Sequence, residues 1–434
     1  VQLSQNVKVI RRHGMNDKTE LPDTPIDVLV IGAGMAGLAA ARVAAAAGAD
    51  VRLLASHRPG GRAASTTTGG FIFNRGPRAL YRGGAAEQVL TQLGVTVSGG
   101  APGVIHGRWG DEVDPLPGSV VPLLRSRRLT ARSKLQVAKL LGRIGAIDTA
   151  ALAGTTFTQW LDDTGVAADT RGLLRMLGRV STYVDQPDVA SAELVVGMMS
   201  AAMRRGVMYL DGGWQSLVDQ LAAGVHVITS DVCAVAGDND GCEVTTTDGR
   251  TIRARSVVLA AGGPDTAARL LQRAPFDVGP PAHASCLDLG VRGQRAPIGL
   301  MGIDQPLYLS THCPPAKLAP PGHQVVHVMR YREAEGDTAV SADDQRDELV
   351  AHARRAGIDP AHIVEQTYLH RMVACTAFAT ATRGGLRGRP VTTDSGIAGV
   401  FLAGDWVGPE GHLLDCVLAS ARDAARRACA RIAS

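Results

Sequence analysis

The residues best placed to do chemistry stand near the two ends of the chain. Gly32, Gly34 and Gly37 form a G-x-G-x-x-G turn directly after Ile26 to Ile31, an apolar run that reads as a buried parallel strand. An alanine-rich helix opens at Met35 and Ala36, Gly48 ends it, and a second strand, Val51 to Leu54, follows. In such a strand–helix–strand unit the first glycine allows the tight turn. The second lets the backbone approach a pyrophosphate, and the third lets helix and strand pack closely. Free N–H groups and the positive end of the helix dipole then face the phosphates. Glycine-rich turns also occur in plain α/β cores, but here the flanking elements stand at the distances a dinucleotide requires. Near the other end, Gly404 and Asp405 follow an apolar strand, Val400 to Ala403. A Gly/Pro loop then leads to His412, Leu413 and Leu414 at the start of a long alanine-rich helix. Asp405 can accept from hydroxyl groups, and amides at a helix N-terminus stabilise negative charge.

Two further phrases join these ends. Pro59-Gly60-Gly61-Arg62 comes after the second strand, and Gly69 to Tyr81 reads GGFIFNRGPRALY. With them the sequence resembles the flavoprotein superfamily of amine oxidases, protoporphyrinogen oxidases and carotenoid (phytoene) desaturases. The resemblance implies non-covalent FAD and an α/β fold, in which a Rossmann-type (GR2-like) FAD-binding domain is joined to a substrate domain of mixed sheet plus helical cap. It implies that the Gly61 amide and the Arg62 side chain meet the FAD diphosphate, where the planar guanidinium matches phosphate oxygens. Gly76, Pro77, Arg78 and Ala79 would pass near the isoalloxazine ring, and Val232 would contact the adenine. Asp405 would accept from the ribityl hydroxyls, and the Leu413 and Leu414 amides would face the N1–C2=O edge of the reduced flavin. Arg78 and His412 are the candidate catalytic residues, although a capping role is the plainer reading of His412. Cys375 lies where some amine oxidases attach flavin covalently, but the bond expected here is non-covalent.

The sequence departs from the family in two places. Flavoproteins usually carry an acid at the end of the second strand to hold the ribose hydroxyls, and that place falls on Ala55, followed by Ser56. Losing a hydrogen bond to a charged group costs about 1.5–3 kcal/mol, which a cofactor held at many other points survives. Amine oxidases often place a lysine near the flavin, yet none stands between 283 and 300, and Trp406 is the nearest aromatic to the usual amine-framing pair. The expectation is therefore a desaturase- or dehydrogenase-like enzyme that passes hydride from a C–H bond of a largely apolar substrate to flavin N5, with O2 or a quinone as electron acceptor. Amine oxidation, flavin-dependent isomerisation without net redox, and a flavin-less carrier remain the alternatives.

Composition sets outer limits. The chain of 434 residues is 45% hydrophobic and 20% charged, as expected of a globular enzyme and not of a disordered chain. A net charge of +4 is too small to argue for a nucleic-acid partner. The seven cysteines include no CxxC pair, which suggests a reducing compartment and no structural metal. No apolar stretch reaches the roughly 18 residues of a membrane span, and the polar N-terminus lacks a signal-like segment. A cytoplasmic protein is expected. The basic, apolar-flanked stretch Val120 to Lys134 is a candidate for peripheral contact with anionic membrane, though ordinary solvated arginines are the plainer reading.

The elements that must hold these residues fall into a pattern. Residues 1–25 read as a flexible arm. Residues 26–100, 210–282 and 390–434 read as a discontinuous FAD-binding domain, and residues 101–209 and 283–389 as the substrate domain. Helices are expected at Ala85 to Leu93, Ser133 to Ile144, Phe157 to Asp163, Thr170 to Val180, Val189 to Met203, Trp214 to Ala222 and Ser341 to Ala356. Alternating strands with Asn-Asp-Gly and Asp-Gly turns are expected over residues 224–263.

Overall fold

The computed structural model describes residues 26–116, 123, 126, 128–293, 296, 298–332 and 340–433. The expected N-terminal arm, and most of the basic stretch before Arg128, lie outside the described residues.

The chain opens as its glycine pattern requires. Strand β1 (Ile26–Ile31) leads into helix α1 (Met35–Ala46), which returns to strand β2 (Val51–Ala55). β1 and β2 pair in parallel, with Ile31 opposite Leu54. On the other side of β1 runs the long strand Thr251–Leu259, also parallel, with Ile31 opposite Leu259. The two halves of that strand show why its composition changes along its length. Thr251 to Ser256 alternates exposed and buried residues, and its first part pairs antiparallel with Cys242–Thr246. Val257 to Leu259 is buried throughout, because β1 and Val400–Leu402 flank it and helices cover the sheet. Val232–Gly237 completes the meander, and Val227–Thr229 adds to the far side of β2. Three separated stretches of chain thus build one sheet of seven strands. The C-terminal helix Leu414–Ala433 packs on α1 with alanines in contact (Ala421, Ala424, Ala425 and Ala428 are all fully buried), so the two helices approach closely.

A second seven-stranded sheet runs from Ile363–Cys375 through Ala282–Arg292, His323–Arg332, Leu307–Cys313 and Ile298–Gly302 to Val104–Trp109 and Glu112–Pro115. Four helices lie beside it: Ala131–Arg143, Phe157–Asp163, Ala168–Thr182 and Ala192–Arg205. Phe157–Asp163 begins with a capping box between Thr156 and Gln159. Arg179 fastens this layer to the sheet, since its Nη2 donates to the carbonyls of Gly302, Ile303 and Gln305.

The expected helices are all present, and their ends moved where caps decide them. The helix expected from Val189 starts at Ala192, because the Ser191 side chain accepts from the Glu193 amide and Ala190 bridges to Thr380 as extended chain. The helix expected from Ser133 starts two residues earlier, after Thr130, whose hydroxyl accepts from the Ser133 amide.

Candidate functional site

A cleft of about 1110 Å³ runs between the glycine turn and the C-terminal helix. It exceeds the ~300–1,000 Å³ of ordinary ligand pockets, and its walls come from both sheets. Gly32, Gly34, Met35 and Ala36 line it from the first turn, and Ala55 and Ser56 from the end of β2. Gly61, Arg62, Pro77, Arg78 and Ala79 line it from the loops beyond, and Gly404, Asp405, His412, Leu413 and Leu414 from the C-terminal segment. Sixteen of the positions expected from sequence therefore meet around one space.

Three others stand apart from it. Gly37 is a packing residue: a Cβ there would lie 1.8 Å from the Gly32 carbonyl oxygen. Gly76 is drawn away from the cleft, its amide donating to Asp288 Oδ2 at 3.0 Å, and its φ of +89° and the sulfurs of Met372 and Cys286 leave no room for a side chain. Val232 sits on the outer strand of the meander and does not border the cleft.

The residues fit a dinucleotide with a negatively charged middle. Gly34 has nothing within 4 Å of where a Cβ would lie, so its backbone is open on the face where a pyrophosphate would approach. Among the described residues nothing accepts from the Leu413 and Leu414 amides. Leu413 itself is held at φ +51°, a left-handed conformation of about 1–3 kcal/mol for a residue with a side chain, and this turns the chain into the helix.

Arg62 and Asp405 are joined directly. Arg62 Nη1 donates to Asp405 Oδ2 at 2.7 Å, and the same oxygen accepts from the Thr376 amide at 2.9 Å. Asp405 Oδ1 takes the Thr376 hydroxyl at 2.6 Å. Burial presses the Asp405 carboxyl upward, but the Arg62 charge and these hydrogen bonds outweigh it and hold it below the ordinary carboxylate range. Burial opposes the Arg62 charge in turn, and the pairing with Asp405 raises its pKa all the same. Asp405 thus anchors the Arg62 loop and the end of the substrate sheet to the C-terminal strand, with both of its oxygens already engaged.

His412 lines the cleft and is held by a backbone partner. It is fully buried, its Nε2 donates to the Thr182 carbonyl at 3.0 Å, and burial pushes its pKa down to about 4. Two tyrosines work beside it: Tyr81 Oη donates to the Ser181 carbonyl at 2.7 Å, and Tyr183 Oη to the Pro77 carbonyl at 2.6 Å. The C-terminal end of the helix Ala168–Thr182 is therefore clasped by three hydrogen bonds to two chain segments, residues 77–81 and His412. Arg78 is half-buried. Its Nε donates to the Asn74 carbonyl, its guanidinium lies 5.6 Å from the Trp214 ring, and burial lowers its pKa.

Thr376, Tyr81, Tyr183 and Met372 are site residues that the sequence did not single out. Only their place at strand and helix ends relates them to the cleft, and nothing local in the sequence marks it. Trp406, in contrast, packs on Phe276 with ring centroids 4.8 Å apart, inside the core and off the cleft. Cys375 is fully buried off the cleft, and burial pushes its thiol up to about 12.

Flavin-containing amine oxidoreductases match this sequence over residues 35–433. The chain belongs to that family. Membership brings FAD as cofactor and oxidoreductase chemistry. An L-amino-acid oxidase of Notechis scutatus scutatus is 47% identical over 74 residues, a match that spans 16% of this chain and 14% of that protein. Among solved structures, a triple mutant of putrescine oxidase superposes with a TM-score of 0.76 at 18% identity, covering 94% of this chain and 99% of the other. Cyclohexylamine oxidase from Brevibacterium oxydans gives a TM-score of 0.69 at 17% identity, covering 95% and 100%. At these identities the structures show a shared fold.

Proposed function

We propose that this family member is a desaturase- or dehydrogenase-like enzyme acting on a C–H bond of a largely apolar substrate. Non-covalently bound FAD supplies the two-electron acceptor for the hydride when it is bound, with O2 or a quinone reoxidising it. The cofactor half of the cleft belongs to residues 26–100, 210–282 and 390–434, and the substrate half to residues 101–209 and 283–389. Gly34 and Gly61 supply backbone for the diphosphate, and the Arg62 guanidinium, oriented by Asp405, supplies its charge. The Leu413 and Leu414 amides favour negative charge at the other end. Tyr81, Tyr183 and His412 hold the cap helix closed over the cleft and help to exclude water.

The observation that carries the reading is the state of the cleft's carboxylates. Asp219, Asp405 and Asp415 are the three that line it, and each already has a partner: the Gln215 side-chain amide, Arg62 with Thr376, and the Ala86 amide. Among the described residues no lysine lines the cleft, and Arg78 contributes a cation without an ion-pair partner. Met372, Ala374 and Tyr183 supply the remaining substrate-side surface. This wall suits a neutral, apolar substrate and repels an ammonium group.

Anaerobic mixing with a substrate panel tests the proposal. Bleaching of the flavin by isoprenoid or polyketide-like compounds, with a product two hydrogens poorer, is the expected result; bleaching by primary amines alone overturns it. Oxidation of an amino acid is a second reading, favoured by the local match to L-amino-acid oxidase, with Arg78 taking the substrate carboxylate. L-amino acids in the same panel decide it.

A further inference from the structure

Behind the turn that leads into the C-terminal helix lies a charge that the site described above does not use. Arg389 is 6% exposed and does not border the cleft. Its Nη2 donates to the Gly411 carbonyl at 2.8 Å, its Nη1 lies 3.1 Å from Cys416 Sγ, and its buried Nε has no partner. No carboxylate pairs with it among the described residues. Burying an unpaired cation is costly. Here it also faces the positive end of a 20-residue helix, an arrangement that the helix dipole makes worse. Arg389, the helix N-terminus and the Leu413 and Leu414 amides all favour negative charge in the same end of the cleft. The neighbouring titratable groups show the same field. Arg389 lowers the pKa of His412 and acts in that direction on the thiols of Cys375 and Cys416, which burial otherwise raises. Asp405 opposes it at all three, but its own charge is matched by Arg62.

We propose that Arg389 is a positioning residue for the redox end of the cofactor. It fixes the Gly411 carbonyl, and so the His412–Leu414 turn, and it places a permanent positive charge behind the amides that meet the flavin when the flavin gains negative charge on reduction. This rests on the FAD reading of the cleft. Arg389 makes bound flavin easier to reduce, whatever the substrate.

The test is the midpoint potential of the FAD-loaded protein, measured by equilibration with reference dyes, for wild type, Arg389→Met, Arg389→Lys and Cys416→Asp. Arg389→Met is expected to shift the two-electron equilibrium at least tenfold against reduction, ~30 mV. Arg389→Lys, which keeps the charge, is expected to stay within threefold of wild type. Cys416→Asp leaves Arg389 in place but sets a carboxylate where the sulfur now contacts it, and should shift the potential as Arg389→Met does. It carries the test alone if Arg389→Met does not fold. A flavin potential within threefold of wild type in the variants that lose or neutralise the charge overturns the inference, as does a shift in Arg389→Lys as large as in Arg389→Met. A wild-type protein that holds no flavin overturns the cofactor reading and this inference with it. Bound flavin with an unmoved potential defeats this inference alone.

Discussion

Replacing Asp405 tests whether one buried carboxylate joins the two ends of the cleft. It is 2% exposed and accepts from Arg62, 343 residues away in sequence, and twice from Thr376. Removing one partner of a buried pair typically costs ~3–5 kcal/mol. The Arg62 side chain is 39% exposed, however, and water can reach part of the charge left behind. Asp405→Ala is therefore expected to cost about 2–3 kcal/mol, at or below the bottom of that range, with the Thr376 amide and hydroxyl losing their acceptors. Asp405→Asn separates charge from shape. Its oxygen can keep the Arg62 and Thr376 N–H bonds while its amide donates to the Thr376 hydroxyl, which can rotate to accept, so a loss of about 1–2 kcal/mol is expected. Urea unfolding with linear extrapolation reads both, and a double-mutant cycle with Arg62→Met should show a coupling of at least ~1 kcal/mol. FAD affinity should fall in both variants, because Arg62 loses the group that orients it. A cost below about 1 kcal/mol for Asp405→Ala, or additive single and double mutants, would refute the argument.

Other outcomes follow from single residues. Gly37→Ala should destabilise the fold by about 1–3 kcal/mol, since its Cβ meets the Gly32 carbonyl oxygen at 1.8 Å. Gly34→Ala, with open space around the added carbon, should leave the apoprotein's unfolding midpoint unchanged and weaken FAD binding; thermal melts with and without FAD separate the two. His352 accepts from Arg108 at Nδ1 and donates to the Leu300 carbonyl at Nε2, a pattern that only neutral imidazole can make, and burial holds its pKa near 4, as it does that of His412. Both values lie below the ordinary 6.5. The unfolded chain therefore takes up these protons first, and stability falls as pH drops from about 6.5 to about 4, by roughly 3 kcal/mol per histidine at the bottom of that window. His352→Gln should flatten the slope of urea stability against pH there; an unchanged slope counts against the assignment. Tyr183→Phe removes the hydrogen bond to the Pro77 carbonyl and should cost about 1 kcal/mol, seen as a lower melting temperature with FAD still bound.

The parts of this protein that could be read from its sequence are those where backbone geometry restricts the residue type. Gly32 and Gly37 are glycines because carbonyl oxygens occupy the space of a side chain, and a spacing of that kind survives in one dimension. Elements buried on one or both faces were equally legible, as in Thr251–Leu259, where alternation gives way to a continuous apolar run at the point where the sheet becomes covered. Helix ends were less so, because Ser191 and Thr130 decide them through hydrogen bonds that the apolar period does not register. Side-chain partnerships were not legible at all. Asp405 was expected to meet hydroxyls of the cofactor, and the sequence holds no local sign that Arg62 and Thr376 would occupy both of its oxygens. Tyr183 sits at the left-handed end of its helix, at φ +64°, with its hydroxyl on Pro77, a contact spanning 106 residues that only the fold can specify.

The charge pattern of the cleft connects these partnerships to its chemistry. The carboxylate nearest the Arg62 loop is neutralised by it, the one at the C-terminal helix, Asp415, caps the helix Ala85–Gln92, and Asp219 binds a neighbouring glutamine on its own helix. Arg78 and Arg389 are left with no ion-pair partner among the described residues, and the first turn of Leu414–Ala433 carries one acid, Asp415. A charge as deeply buried as that of Arg389, 6% exposed, is screened little by salt, so it acts as a fixed feature of the fold. On the proposed reading, a site of this sign favours electrons arriving on the cofactor over a cation arriving as substrate. By the same reading, Ala55 removes a hydrogen bond from the ribose end of the cofactor but none of the positive charge proposed to hold the diphosphate and favour the reduced ring.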